Sequence, residues 1–218
     1  MGTSIEHTGK DWGFNTLTPK DIDNYAEALA GIVRHYTQGW ANGFKWDIEY
    51  WELFNEPDKH SCWRGDGEEF IKLFVTCLKR LKSEFPKLKI GGPALAAPKK
   101  QYIANLLEAC RAEGVVPDFI SWHLYSSDPR EVVGQVDEIR KLVDDCGAKK
   151  CKLIIDEWHY IVSWDGVVGS SPEILRTALS GASGHNGIDS AAFTLATIAL
   201  MHDYPIDQSY FYGHGTKG

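Results

Sequence analysis

Two glutamates stand at the ends of apolar runs: Glu56 in "YWELFNEPD" and Glu157 in "CKLIIDEWHY". Each is followed at once by a residue of marked type, Pro57 or Trp158. A run suited to burial has no packing reason to end in a carboxylate, because a charge is tolerated in an interior only when it is paired. Two carboxylates facing each other can split a glycosidic bond. One, protonated, gives its proton to the leaving oxygen, and the other, ionised, attacks the anomeric carbon. Retaining chemistry wants the pair about 5–5.5 Å apart, and inverting chemistry about 6.5–9.5 Å, to admit a water. The sequence carries no distance.

The elements that must hold these residues alternate. Thr18-Pro19 is a helix-start signal with proline at the first helical position, and a helical pattern follows through Ala26, Leu29, Ile32, Val33 and Tyr36. Strands are predicted at Ile48–Asn55, Leu88–Gly91 (stopping at "GGPA"), Phe119–Tyr125, Lys152–Trp158 and Gln208–Tyr212. Helices are predicted between them: one carrying Phe70, Ile71, Phe74, Cys77, Leu78 and Leu81, then Tyr102–Ala112, Glu131–Asp145 and about Ser190–Met201. Short, continuous apolar strands separated by helices signify a parallel sheet covered by helices. No phosphate-binding glycine loop follows a strand, which tells against a nucleotide-binding doubly wound sheet. Polar residues instead stand at the C-terminal ends of several strands, in "NEPD", "WHLYSSD", "DEWHY" and "FYGH". That distribution belongs to a (β/α)8 TIM-type barrel. Five complete strands and the tail of another in "TSIEH" fall short of eight, so the expectation is one α/β domain over residues 1–218 in an incomplete barrel.

Composition narrows the function. The chain has 218 residues, 43% hydrophobic and 24% charged, with a net charge of −7, which disfavours nucleic acid and anionic membranes as partners. No segment approaches the roughly 18 apolar residues of a membrane span, and "MGTSIEHTGK" lacks the apolar core of a signal peptide. The compartment stays open. Of the cysteines, Cys77 and Cys110 lie on apolar helix stripes as small buried hydrophobes, and Cys146 and Cys151 flank a short loop across which they could pair. No Cys or His spacing fits zinc, so neither metal nor cofactor is expected.

"WELFNEPD" together with "LIIDEWHY" resembles the acid/base and nucleophile motifs of clan A glycoside hydrolases, on barrel strands four and seven. The nearer likeness is to family 39, the β-xylosidase and α-L-iduronidase group. "GGPA" and "DFISWHLYS" resemble its fifth and sixth strands, and "SIEHT" the end of its third, so the chain corresponds to the end of strand three through strand eight. The resemblance implies that Glu56 is the general acid/base and Glu157 the nucleophile of a retaining O-glycosidase acting on oligo- or polysaccharides, with xylosides favoured. It implies that Asn55 bonds the hydroxyl beside the anomeric carbon, and that His123 and Tyr125 line the same subsite, with Tyr125 orienting Glu157. Trp158 and Phe211 or Tyr212 would offer sugar-facing surface. His7 would end a strand at the same face. Asp156 departs from the small polar residue expected before the nucleophile.

Other residues have plainer readings. Glu52, within its strand, is expected to be a hydrogen-bonded structural acid. Trp51 and Trp122 are expected in the core, while Trp63 and Trp164 are divided between core and pocket. His159, His185 and His214 are expected at the surface or in loops. The rival to a glycosidase is a carbohydrate-binding barrel without turnover, or an inactive fragment. Open barrel edges would favour self-association.

Overall fold

The computed structural model describes residues 16–163 and 184–213. The elements are α1 (Ile22–Thr37), β1 (Tyr50–Glu52), α2 (Gly67–Glu84), β2 (Lys89–Leu95), α3 (Lys100–Ala112), β3 (Phe119–Ser126), α4 (Pro129–Val133), α5 (Val136–Asp145), β4 (Lys152–Tyr160), α6 (Ile188–Met201) and β5 (Gln208–Phe211). The strands neighbour one another in chain order, β1-β2-β3-β4-β5. "TSIEH", Trp164 and His214 fall outside the described residues, as does His7.

Contacts divide the chain into two compact units. One holds the chain through Trp122 with Leu142–Lys152, and the other holds His123–Lys141 with the chain from Leu153. In the first, α1 begins at Ile22 because the Asp21 carboxylate accepts the Asn24 N–H at 2.9 Å, so the cap lies beyond the expected Thr18-Pro19 start. Asp66 and Glu69 close a reciprocal capping box on α2. The apolar stripe of α2 buries Phe70, Leu73, Phe74, Cys77, Leu78 and Leu81. Phe70, Phe54 and Trp63 meet edge to face, with centroids 5.0–5.5 Å apart, so Trp63 belongs to the core. Trp51 and Trp122 are buried as expected. Arg34 of α1 pairs with Glu84 of α2 at 2.6 Å and Arg80 of α2 with Glu27 of α1 at 2.7 Å, tying the two helices together.

β2 does not stop at "GGPA" but runs through it to Leu95. The glycines permit close backbone approach on both sides. A Cβ on Gly91 would sit 2.2 Å from the Phe119 carbonyl oxygen, and one on Gly92 (φ +134°) 2.7 Å from that of Leu53. β1 and β3 pair parallel to β2 through Trp51↔Ile90 and Gly92↔Ile120. Glu52 is half-buried and accepts a hydrogen bond from Ser121 at 2.5 Å, the structural role expected of it.

In the second unit β4 pairs parallel with β5, and α6 packs on α4. The helix expected over Glu131–Asp145 is two pieces, because α4 ends with its C-cap at Gly134 and α5 restarts at Val136. All five cysteines are free, so Cys146 and Cys151 are not paired. Burial pushes the Cys77 and Cys110 thiols up to about 12. No helix among the described residues is long and apolar enough to cross a membrane.

Candidate active site

Glu56 belongs to the first unit. The strand expected over Ile48–Asn55 pairs regularly only from Tyr50 to Glu52. Leu53 N–H still donates to Gly91 O at 2.8 Å, and then the backbone turns left-handed at Phe54 (φ 77°) and Glu56 (φ 47°). Such conformations cost about 1–3 kcal/mol each and persist where surrounding contacts enforce them. Here the enforcing contacts are a 2.8 Å bond from Glu56 N–H to Ala94 O and the buried Phe54 ring. Behind the glutamate, Asp58 accepts from Ala96 N–H at 2.9 Å and pairs with Lys99 at 2.8 Å, fastening the following loop to the end of β2.

The result is a glutamate only 4% exposed. Its Oε1 accepts from Lys59 Nζ at 3.0 Å, and Oε2 faces the Cys62 thiol at 3.8 Å. Burial, above all, holds Cys62 above the usual thiol range, so it stands there as a neutral donor, and the Glu56 charge adds to the effect. Asn55 beside it is half-buried.

Glu157 belongs to the second unit and is more open, its side chain 22% exposed. Tyr125 on β3 donates its phenolic hydroxyl to Oε1. His123, two residues earlier and so on the same face of β3, places Nδ1 3.6 Å from Oε2. The other ring nitrogen lies 3.4 Å from Asp156 Oδ2. The hydrogen bond from Tyr125 favours the ionised carboxylate.

β4 reaches this arrangement through an irregularity. Ile155 pairs with Ser209 and Trp158 with Phe211, so β4 advances three residues while β5 advances two. That is a β-bulge at Asp156–Glu157, a device that re-aims side chains beside functional sites.

Tyr125, His123 and Glu157 are therefore brought together as expected from their motifs. Tyr212 meets Tyr125 edge to face at 6.4 Å. Trp158 is 2% exposed and packs against Phe193 and Phe211, its indole N–H buried without a hydrogen-bond partner among the described residues. The aromatic surface open to solvent here is that of Phe211 and Tyr212, 46% and 38% exposed. His159 is not at the surface but buried on β4, stacked on half-buried His185 at 4.8 Å, because an aromatic layer with Phe211 encloses it. Sequence reasoning missed two neighbours. Lys59 follows Glu56 by three residues on a turn closed by Lys59 N–H to Glu56 O, a spacing that could have flagged the pair. Asp156 was visible as a departure, but its partner was not.

Parallel strands in chain order, separated by helices and carrying their chemistry at C-terminal ends, define an α/β fold of the (β/α)8 barrel type, of which the described residues hold five strands. The chain belongs to glycosyl hydrolases family 39, whose sequence profile matches residues 2–162. It is 30% identical to a β-xylosidase of Geobacillus stearothermophilus over 119 residues, 53% of this chain and 23% of that protein. Among solved structures it is similar to a glucosidase from Croceicoccus marinus, with 26% identity, a TM-score of 0.75, and coverage of 93% of this chain and 40% of the other. A family 39 enzyme from Xanthomonas axonopodis pv. citri shares the fold at 20% identity with a TM-score of 0.71, covering 98% of this chain and 42% of that one. The chain thus spans less than half the length of these relatives.

Proposed function

We propose that the chain carries the catalytic carboxylates of a retaining O-glycosidase, with Glu157 as nucleophile and Glu56 as general acid/base. The observation that carries this reading is the hydrogen bond from Tyr125 to Glu157 at the bulged end of β4. One oxygen of Glu157 attacks the anomeric carbon while Tyr125 holds the other in line. Glu56, protonated in the productive complex, gives its proton to the departing oxygen. Glu56 then takes a proton from water, whose oxygen displaces Glu157 from the sugar, so two inversions return the original configuration. Asn55 is the donor for the hydroxyl beside the anomeric carbon, and Tyr212 and Phe211 supply aromatic surface to the sugar. Xylosides are the first substrates to try, since the Geobacillus relative is named a β-xylosidase.

The test is hydrolysis of aryl glycosides by this chain and by Glu157→Ala. The wild type should turn over, and the variant should not. Equal background rates in both would overturn the reading.

A further inference from the structure

We propose that the loop between α1 and β1 is a second carbohydrate-binding surface, which takes a neutral polysaccharide on Trp40, Phe44 and Trp46. The ligand class rests on the glycosidase reading above, but not on the roles given to Glu56 and Glu157. The loop enters β1 at the end opposite Glu56, so it lies apart from the candidate acid/base.

Trp40, Phe44 and Trp46 are 55%, 43% and 52% exposed. Single exposed apolar side chains are ordinary, whereas a contiguous group marks an interaction site. This group is contiguous. Phe44 stacks on Trp46 with centroids 4.3 Å apart, and Tyr36 of α1 lies 5.7 Å from Phe44 and 5.4 Å from Trp46. The His35 ring meets Phe44 at 5.6 Å, and its Nδ1 lies 3.0 Å from the Trp40 carbonyl oxygen.

The backbone holds the rings in place. Ala41 and Asn42 are left-handed (φ 53° and 58°), and they turn the chain back along the last turn of α1. Phe44 N–H donates to His35 O at 2.6 Å, Trp46 N–H to Tyr36 O at 2.9 Å, and Gly39 N–H to Phe44 O at 2.7 Å. Strain of this kind persists where surrounding contacts enforce it and gathers at ligand clamps. Here it presents aromatic rings to water rather than to the core. Rings fixed in advance lose little freedom when a ligand arrives.

The neighbouring side chains define the ligand. The face of an aromatic ring is electron-rich, and the C–H bonds on one face of a sugar ring carry the complementary partial charge. Asn42, Lys45 and Asp47 stand exposed among the rings, with donors and acceptors for sugar hydroxyls. Lysine and aspartate are depleted from the cores of protein–protein interfaces, so the mixture fits a hydroxyl-rich ligand better than another polypeptide. A net charge of −7 selects a neutral polysaccharide over an acidic one.

The experiment is native electrophoresis of the full chain through gels containing soluble arabinoxylan or mixed-linkage β-glucan, beside Trp40→Ala, Trp46→Ala and Trp46→Tyr. One of the two polymers should retard the wild type. Each alanine variant should bind about tenfold more weakly or worse, while Trp46→Tyr, which keeps an aromatic face, should retain most of the binding. Hydrolysis of aryl glycosides, which are too short to reach the loop from the candidate active site, should stay within about twofold of wild type. In the wild type itself, xylohexaose or a β-glucan hexasaccharide, matched to the polymer that binds, should shift the Trp40 and Trp46 indole N–H signals in 1H–15N NMR. No retardation by either polymer, retardation unchanged in both alanine variants, or indole signals that stay in place overturns the proposal. A dimer in sedimentation that Trp46→Ala dissolves also overturns it, because the rings then serve a second copy. A wild type that is retarded but hydrolyses nothing supports the surface and counts against the glycosidase reading alone.

Discussion

Two glutamates of the same type, each closing an apolar strand, sit in opposite surroundings. Glu56 is enclosed, on left-handed backbone, with an ammonium at 3.0 Å and a neutral thiol at 3.8 Å. Glu157 is partly open, on a bulged strand, with a phenol and a histidine among its partners. Environment assigns such pairs their roles. Enclosure disfavours the charge and suits a member that carries a proton, whereas a hydroxyl donated to the carboxylate suits a member that stays ionised. The ammonium of Lys59 works against enclosure at Glu56, so in the ligand-free state the two influences compete there. At Glu157 the hydrogen bond from Tyr125 favours the charge.

The largest effect should come from removing the carboxylates themselves. Glu157→Gly abolishes turnover, and added azide, occupying the vacated place, restores it with inverted product stereochemistry. Glu56→Ala costs about 10²–10⁴-fold in kcat, the usual contribution of a general acid/base, and least for substrates with good leaving groups. Azide rescue with inversion in Glu56→Ala rather than in Glu157→Gly would exchange the two assignments.

Next in size is the phenol. Tyr125→Phe removes a hydrogen bond to a charged group, worth about 1.5–3 kcal/mol, so kcat falls roughly ten- to a hundredfold. Unchanged kcat with intact folding would mean that Glu157 does not depend on its donors, and the contrast with Glu56 would lose its meaning.

The sequence made one side of this contrast more legible than the other. Helix spans were readable from apolar spacing, as in the stripe from Phe70 to Leu81, because burial of a 3.6-residue face leaves a periodic trace. "WHLY" likewise placed His123 and Tyr125 on one face, since strand alternation is equally regular. Irregular backbone leaves no such trace. The left-handed turns at Phe54 and Glu56 shortened the expected strand, and the bulge at Asp156–Glu157 brought a second acid, Asp156, to His123. Both depend on partners distant in sequence, Ala94 and Ser209 among them. The extension of β2 through "GGPA" was hidden for a related reason: glycines usually read as turn signals are here the residues that let neighbouring backbones come close.

A smaller effect should come from Lys59→Met. The ammonium favours the ionised form of Glu56, so its removal makes Glu56 hold its proton to higher pH. The alkaline limb of kcat/KM should then move up, on the order of one pH unit. An unmoved limb would show that the ion pair does not set the protonation of Glu56 in the free enzyme.

The smallest expected effect separates the two units by their stability against acid. In the second, burial holds His159 below the ordinary histidine range, and burial followed by the neighbouring His159 does the same for His185. An unfolded histidine takes up a proton near pH 6.5, whereas these folded ones resist it. Between about 6.5 and their lower folded values the unfolded state binds more protons, so stability present above about pH 6.5 is lost as pH falls through that window. The first unit has the opposite device. Glu84, gripped first by Arg34 and then by Arg80, is lowered to about 2, so its contribution is intact above the ordinary carboxylate range and fades only as pH falls towards about 2. Acidification from pH 7 to 5 should therefore loosen β4, β5 and α6 before α1 and α2. Amide exchange corrected for its intrinsic pH dependence should rise in the second unit by up to about tenfold for each pH unit of depression, with little change in the first. His159→Phe, which keeps an aromatic ring against Phe211, should flatten that rise. Equal loosening of both units, or a rise undiminished in the variant, would show that the buried histidines do not set the acid sensitivity of the region that carries Glu157.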